Sequence, residues 1–291
     1  MADRLDEAKE SLEELVRRLE GDADLIESRS FRGRSEALDL LDAHASDRLQ
    51  EGSELANRVN LLRARLEAVN SKLYEDIRRE IRLGAGAQAL LPWSRLEPDN
   101  AGAAADGFGY DHLDELISGV FRFDEPDEGQ IQRKPETVFY QPTPARHIFR
   151  MIQLSKPTES DVLIDLGAGL GHVVLITSIC AGMRSIGIEL ERPYVDSARR
   201  CAERLSLSRV EFLHQDARAA DLSMGTVFYL HTPFSGSILN TVLGRLRHEA
   251  ATRSLQICTF GPCTAVVANE SWLEADEGLR ADRIAIFSSR G

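Results

Sequence analysis

The stretch at residues 161–189 limits the fold of this chain more than any other part of the sequence. Residues 162–164 form a short apolar run, which is typical of a strand buried on both faces of a sheet. Glycines follow at alternate positions (Gly167, Gly169 and Gly171), and an apolar helical pattern begins directly after them. Glycine allows a sharp turn and a close approach to a ligand, and a helix start offers free N–H groups. The stretch therefore predicts an α/β fold with a nucleotide-binding corner.

Two acidic residues narrow the class of ligand. The spacing G-x-G-x-G differs from the dinucleotide fingerprint G-x-G-x-x-G, and Asp165 stands two residues before Gly167. An acid at this point disfavours a pyrophosphate and suits an ammonium or sulfonium group, because opposite charges attract. Glu189 ends the next strand-like run, where a carboxylate can accept two hydrogen bonds from a ribose diol. A Rossmann-like corner that binds NAD, or no ligand, is the alternative interpretation.

The order of strand, glycine loop, helix, strand and acid resembles motif I and the following acidic loop of class I S-adenosylmethionine-dependent methyltransferases. The resemblance implies a Rossmann-like seven-stranded methyltransferase sheet, mostly parallel with an antiparallel C-terminal strand. It also implies S-adenosyl-L-methionine as the cofactor and S-adenosyl-L-homocysteine as the product. By this resemblance Asp165 and the loop hold the methionine half, Glu189 the ribose, and Asp216 the adenine amino group. The cofactor-binding residues that it implies are Asp165, Gly167, Ala168, Gly169, Gly171, Glu189, Leu190, Asp216 and Ala217.

Tyr140 and Thr143 lie just before a predicted helix that precedes motif I, with Thr143 as the expected N-cap and Pro144 at the first helical position. The segment resembles the corresponding one in the non-SET histone lysine methyltransferases, and this similarity covers roughly residues 140–235. In that family the segment contributes to the cofactor pocket and to the lysine channel. The resemblance therefore adds Tyr140 and Thr143 to the cofactor-binding residues. It does not extend to the substrate, because a net charge of −12 is unsuited to a nucleosome face.

The residues expected at the reacting end follow a predicted central strand at residues 226–230. The run His-Thr-Pro-Phe at residues 231–234 resembles the Asp/Asn-Pro-Pro-Tyr/Phe motif of amino methyltransferases, with His replacing Asp/Asn and Thr replacing the first Pro. A neutral imidazole can act as a general base, although a lone histidine is as often structural. We predict His231, Tyr229 and Tyr140 as the catalytic residues, with His231 as a base or an orienting group.

The chain divides by pattern into three parts. Residues 1–95 are predicted to be helical, and an a/d repeat over residues 55–73 is sustained for about three heptads. This part is either a bundle that caps the catalytic domain or a coiled-coil arm that forms a homodimer or binds a protein. Residues 96–136 form an acidic linker and lid with a short amphipathic helix, and residues 137–291 form the catalytic domain.

Apolar periodicity predicts the remaining elements. These are helices at residues 5–19, 35–49, 110–121, 192–205 and 237–247, and strands at residues 210–214, 255–260, 265–268 and 283–287, the last two as the antiparallel pair. His172, directly after the glycine loop, is unusual for motif I. It either lies near the methionine half of the cofactor or caps the helix.

Composition excludes several classes of partner. The net charge of −12 argues against nucleic acid, because phosphate binding needs a basic face. No run of about 18 apolar residues exists, so no membrane span is predicted. The charged N-terminus lacks a signal-peptide core, and we expect a cytoplasmic protein. The four cysteines (Cys180, Cys201, Cys258 and Cys263) lack metal-ligand spacing, so we expect buried free thiols and no metal site.

The sequence thus predicts an enzyme that transfers a methyl group to a small-molecule oxygen or nitrogen nucleophile enclosed under the helical N-terminal region. A protein N-methyltransferase of the lysine type is one alternative. A methyltransferase-fold scaffold without catalytic activity is the other, although it need not retain Asp165, Glu189 and Asp216 together.

Overall fold

The computed structural model describes residues 10–45, 52–95, 107–126, 129, 140–275 and 278–290. Contacts between Cα atoms divide the chain into two compact units, Met1–Asp76 and Ile77–Gly291. The division falls inside a long helix. Much of the predicted acidic linker lies outside the described residues, as does the start of the first predicted helix, with Leu5 and Ala8.

The first unit contains α1 (Leu12–Gly21), α2 (Phe31–Ala45) and most of α3 (Glu54–Arg82), whose last turns belong to the second unit. α1 begins with a capping box, in which Ser11 and Glu14 bond to each other's backbone N–H. α2 begins four residues before the predicted start. Three apolar residues of the a/d repeat in α3 pack against buried residues of α1 and α2; these are Val59, Leu62 and Leu66. These positions are therefore filled within the unit, and dimerisation through the N-terminal helices stays a prediction.

The first unit also buries a cation, Arg34 of α2, which is fully inaccessible to solvent. Its Nε donates to Asn70 Oδ1 at 2.6 Å, and its two Nη atoms donate to backbone carbonyls. Those carbonyls belong to Leu25, Glu27 and Ser28. Among the described residues no carboxylate pairs with the guanidinium, and burial lowers the pKa of Arg34. The neutral oxygens around it therefore take the place of a counter-ion.

The second unit contains a seven-stranded sheet in the order β3-β2-β1-β4-β5-β7-β6. The strands are β1 (Val162–Leu166), β2 (Arg184–Glu189), β3 (Val210–His214), β4 (Val227–Leu230), β5 (Gln256–Thr259), β6 (Leu273–Ala275) and β7 (Ala285–Ser289). β1 to β5 pair in parallel, and β7 is antiparallel to both β5 and β6. The predicted fold class is confirmed.

One predicted strand is wrong. Residues 265–268 belong largely to a short helix (Cys263–Val267), and the sixth strand lies further on, at Leu273–Ala275. Pro262 precedes this helix, and the Thr264 hydroxyl lies 2.8 Å from that of Thr259 at the end of β5. A short apolar run suits a buried helical turn as well as a strand, so periodicity alone could not separate them.

The helices of the second unit are α4 (Gly86–Leu90), α5 (His112–Phe121), α6 (Ala145–Ser155), α7 (His172–Ala181), α8 (Arg192–Arg204), α9 (Gly236–Ala250) and α10 (Cys263–Val267). Apolar residues of α9 and α10 join those of the strands in one core. Among the helices in the described ranges, none has both the length and the apolar character that crossing a bilayer requires.

The start of α6 differs from the prediction. Pro144 occupies the N-cap position, and Thr143 makes no capping hydrogen bond. The N–H of Ala145 instead donates to Asp114 Oδ1 of α5 at 2.7 Å. Asp114 also accepts from the N–H of Asp111, so one carboxylate serves the first turns of two helices. The Thr143 hydroxyl is thereby available for other partners.

Candidate cofactor and acceptor site

The sheet brings the predicted site residues to the carboxyl ends of its parallel strands. Asp165 of β1 is in register with Gly187 of β2 and with Tyr229 of β4. Glu189 ends β2, and the glycine loop follows β1 directly. Ligands of open α/β sheets bind beyond these strand ends, where the order of strands reverses. Here the reversal lies between β1 and β4.

The three glycines of the loop all have left-handed backbone conformations, with φ of 91°, 53° and 85° at Gly167, Gly169 and Gly171. A Cβ atom at Gly169 would lie 2.0 Å from the ring of Tyr140, and one at Gly167 would lie 2.2 Å from Pro233. Glycine is therefore required by two neighbours inside the protein, as well as by the turn itself. This packing ties the loop both to Tyr140 and to the segment after β4.

Glu189 fastens the glycine loop from the neighbouring strand. Its Oε2 accepts from the N–H of Gly169 and its Oε1 from the N–H of Glu191, both at 2.8 Å. Burial raises the pKa of Glu189, and these backbone hydrogen bonds oppose that shift. Each carboxylate oxygen has a second lone pair, so the predicted contact with a ribose diol is chemically open.

Asp165 has a different environment, although it belongs to the same site. It is 3% exposed, and within the described parts of the chain no group donates a hydrogen bond to it. Burial, reinforced by the nearby charge of Glu189, raises the pKa of Asp165 well above its ordinary value. A buried carboxyl without a partner is costly, and a cationic or N–H-bearing ligand would relieve that cost.

The predicted adenine end follows β3. Arg218 donates to Asp216 from its backbone N–H and from its guanidinium, with the shortest contact at 2.7 Å. Ala217 is buried beside it, and the Leu190 carbonyl lies 2.9 Å from His214 Nε2. The role of Asp216 toward adenine stays a prediction. In that role Asp216 would accept from Arg218 and from the cofactor together.

The predicted reacting end is a hydrogen-bonded cluster centred on Thr143. Its Oγ1 lies 2.8 Å from Tyr229 Oη and 3.2 Å from His231 Nδ1. Burial lowers the pKa of His231 to about 4. The imidazole is therefore neutral at pH 7 but a weak base. The contacts favour the orienting role, and its role as a base stays a prediction.

Phe260, which the sequence did not mark as a site residue, packs against His231 and joins it to two further aromatic rings. The ring of Phe260 lies 4.8 Å from that of His231, 4.4 Å from that of His147 and 5.2 Å from that of Phe108. The Gly107 carbonyl accepts from His147 Nε2 at 2.8 Å, which holds Phe108 in place. Phe260 follows β5 at its carboxyl end, and that position could have identified it.

The described residues contain no group of histidine, cysteine and carboxylate side chains that could hold a metal ion. All four cysteines have free thiols; Cys180 is partly exposed and the other three are buried. Asp165, Glu189, His231, Tyr140 and Tyr229 are titratable groups at this site whose pKa values burial shifts.

Residues 136–225 match the protein family described as histone methylation protein DOT1. The matched part includes Tyr140, Thr143 and the first three strands, and it ends just before β4. The second unit has the class I S-adenosylmethionine-dependent methyltransferase fold. The unpartnered Asp165 suits the ammonium group of S-adenosylmethionine, which is the cofactor that the sequence resemblance implies.

Several solved structures are similar to the chain. An RNA methyltransferase from Salinibacter ruber in complex with S-adenosyl-L-homocysteine is 25% identical over 51% of this chain and 92% of its own, with a TM-score of 0.42. The human methyltransferase 10 domain containing protein is 13% identical over 60% and 91%, with a TM-score of 0.40. TrmN from Thermus thermophilus is 16% identical over 50% and 49%, with a TM-score of 0.40. No curated protein sequence matches the chain.

Proposed function

We propose that the chain transfers a methyl group from S-adenosylmethionine to a neutral oxygen or nitrogen nucleophile of a small molecule. The observation that carries the cofactor half is Asp165, a buried carboxyl without a partner beside the glycine loop. Asp165 and the loop would hold the methionine half, Glu189 the ribose and Asp216 the adenine. The bound cofactor supplies an electrophilic methyl group on a sulfonium, which becomes a neutral thioether when the methyl leaves.

The character of the reacting end supports a neutral and enclosed acceptor. Thr143 is 5% exposed and Tyr229 is 1% exposed, so the polar groups lie deep in the protein. Burial raises the pKa of Tyr229 and lowers that of His231, which leaves both uncharged at pH 7. The aromatic ring of Phe260 adjoins them. A charged acceptor would lose its hydration there without gaining a counter-ion.

The chain's own residues contribute positioning. The Thr143 hydroxyl links Tyr229 and His231 and so holds their polar atoms toward one point, where a nucleophile would be oriented. When a hydroxyl or amine nucleophile gains the methyl group, it must release one proton. This proton passes to water or to the His231 imidazole, whose lowered pKa makes it a weak base.

A protein lysine is the second candidate acceptor, and the family match favours it. The matched residues 136–225 belong to a family described by histone methylation. The match ends before β4, however, so Tyr229 and His231 lie outside it. The family match thus supports the cofactor half more strongly than it supports the acceptor.

Calorimetry with S-adenosylmethionine and S-adenosylhomocysteine tests the cofactor half. We expect micromolar binding of both, weakened about 10- to 100-fold by Asp165→Asn, because a charge-assisted hydrogen bond is lost. Asp221→Asn, at an exposed aspartate of the same unit, is the matched control and should bind as the wild type does. If neither ligand binds, the methyltransferase proposal is wrong and the scaffold alternative stands.

Transfer of a labelled methyl group distinguishes the acceptors. The protein and labelled S-adenosylmethionine are added to a cell lysate, which is then separated by molecular size. We expect the label in the small-molecule fraction. Label in a large fraction that protease removes would favour the lysine-type enzyme, and label that nuclease removes would contradict both candidates.

A further inference from the structure

His172 is a residue of the glycine loop that the proposed function leaves without a role. It begins α7 directly after Gly171 and makes no capping hydrogen bond, so it does not cap the helix. Its Nδ1 lies 3.3 Å from Tyr140 Oη. Its ring packs 4.7 Å from that of Phe123. The imidazole thus lies between the tyrosine and a segment that follows α5.

The Tyr140 hydroxyl carries a single proton, which it can donate to one acceptor. Nδ1 of His172 is that acceptor, provided that the imidazole carries its proton on Nε2. Burial lowers the pKa of His172 to about 4 and raises that of Tyr140, so both side chains stay neutral at pH 7.

The other side of His172 is fixed by the segment at residues 121–124. The Asp124 carboxylate accepts from Arg200 at 2.5 Å and from Arg204 at 3.3 Å, and the Asp124 carbonyl accepts from Ser197 at 2.8 Å. These three donors all belong to α8. Phe123 is therefore held in place from outside the glycine loop, and it limits the positions that the imidazole can take.

The position of Tyr140 matters because its ring fills the space over Gly169. A Cβ atom at Gly169 would lie 2.0 Å from this ring, and the ring of Tyr194 packs on it at 4.9 Å. The ring therefore forms one wall of the space beyond β1, close to Asp165. A shift of the hydroxyl end would move that wall.

We infer that His172 is a positioning residue: through Nδ1 it holds the Tyr140 hydroxyl and so sets the aromatic wall beside the glycine loop. It acts through Tyr140 and not by contact with the reacting atoms. The inference rests on the proposed function only in the test that measures cofactor affinity.

The first test is a double-mutant cycle read by S-adenosylhomocysteine affinity. His172→Phe keeps a ring against Phe123 but removes the acceptor, and Tyr140→Phe removes the donor. We expect each variant to weaken binding about 3- to 10-fold, as loss of one hydrogen bond does. The double variant should be no weaker than the single ones, because both remove the same interaction.

Rescue and control variants separate this role from packing. His172→Asn offers an oxygen near the position of Nδ1 and should bind within about 2-fold of the wild type. His248→Phe, at an exposed histidine of α9, should leave the affinity unchanged. Full affinity in His172→Phe, or effects of the two substitutions that multiply, would overturn the inference.

The second test needs no cofactor. Nitrogen chemical shifts of the ligand-free protein at pH 7 report which ring nitrogen of His172 carries the proton. We expect the proton on Nε2 and a shift of the Nδ1 resonance in Tyr140→Phe. A proton on Nδ1, or an Nδ1 resonance that Tyr140→Phe does not move, contradicts the inference even if S-adenosylhomocysteine does not bind.

Discussion

Among the described residues, each unit has one buried arginine or carboxyl side chain, and the hydrogen bonding of these two groups differs. Arg34 in the first unit is wholly buried, and four oxygens of the protein accept from it. Asp165 in the second unit is 3% exposed, and no group in the described parts of the chain donates to it. Burial lowers the pKa of the first and raises that of the second.

The difference in hydrogen bonding distinguishes a buried charged group that stabilises the fold from one that can bind a ligand. A buried charge whose hydrogen-bonding capacity is filled by the protein holds the fold together and offers nothing to a ligand. A buried charge with unfilled hydrogen-bonding capacity destabilises the ligand-free protein. Such a group contributes most to the binding of a complementary ligand. The same degree of burial therefore has opposite consequences for stability and binding.

The largest expected effect is at the satisfied charge. Arg34→Met removes the guanidinium donor from the buried Asn70 Oδ1 and Leu25 carbonyl and from two part-buried carbonyls. We expect a loss of about 3–5 kcal/mol in the free energy of unfolding. Urea denaturation, with hydrogen exchange of the amides in α1 and α2, measures it in the full chain. Arg32→Met, at an exposed arginine of the same helix, should cost less than about 1 kcal/mol. Equal losses in the two variants would refute the structural role of Arg34.

Removal of the Thr143 hydroxyl, a neutral group with its hydrogen bonds formed, should also lower the free energy of unfolding, but by less. Thr143→Val leaves Tyr229 Oη and His231 Nδ1 without their shared partner, at a cost of about 2 kcal/mol. In a protein of this size that lowers the melting temperature by about 4–8 °C. Thr241→Val, whose hydroxyl is exposed, provides the control for thermal unfolding. An unchanged melting temperature in Thr143→Val would mean that the cluster is not formed in solution.

Glu189 is intermediate between Arg34 and Asp165, because the protein fills only part of its hydrogen-bonding capacity. Glu189→Gln retains one acceptor oxygen and places an NH₂ group against a backbone N–H. We expect S-adenosylhomocysteine to bind about 10-fold more weakly, because the glycine loop loses an anchor. Calorimetry beside the exposed Glu203→Gln measures this. Wild-type affinity in Glu189→Gln would remove Glu189 from the site.

The smallest expected effect has the opposite sign and tests the unfilled charge. Asp165→Asn should raise the stability of the ligand-free protein by about 1 kcal/mol at pH 7, or about 2–4 °C in melting temperature. The asparagine amide does not ionise, so the variant avoids the cost of holding a carboxyl, ionised or protonated, inside the protein. A loss of stability in Asp165→Asn would show that Asp165 has a structural partner, and the comparison with Arg34 would fail.

The pH dependence sharpens the same test. The pKa of Asp165 is raised in the folded protein, so the wild type loses stability as pH rises through that value. At a pH below the ordinary aspartate value both states are protonated, and the carboxyl carries no penalty. The gain from Asp165→Asn should therefore grow from about pH 4 upwards. Thermal unfolding of both proteins across this range measures it, and a constant difference would contradict the raised pKa.

The sequence predicted the strand, glycine loop and helix around Asp165 correctly, because this region is local in the chain, and the contacts of its residues with a cofactor stay a prediction. β1, the glycine loop and Glu189 follow one another within residues 161–189, and their spacing alone fixes their relation. The predicted placement of His231 at the end of β4 also holds, because strand ends of a parallel sheet meet at one edge.

The contacts that complete the site could not be predicted, because they join distant parts of the chain. Thr143 reads as a helix cap in sequence, yet its hydroxyl bonds Tyr229 and His231 while Asp114 performs the capping. Arg34 lies just ahead of the predicted helix at residues 35–49, and arginine is rarely buried, so the sequence gives no reason to place it inside the protein.

The Asp114 cap also decides where this protein can be shortened. A fragment cut at residue 137, or at the limits of the family match, would carry α6 but not the carboxylate that accepts from Ala145. Such a fragment would begin with a frayed helix at the segment that holds Tyr140 and Thr143. Expression of the second unit alone should therefore start ahead of α5, which supplies Asp114.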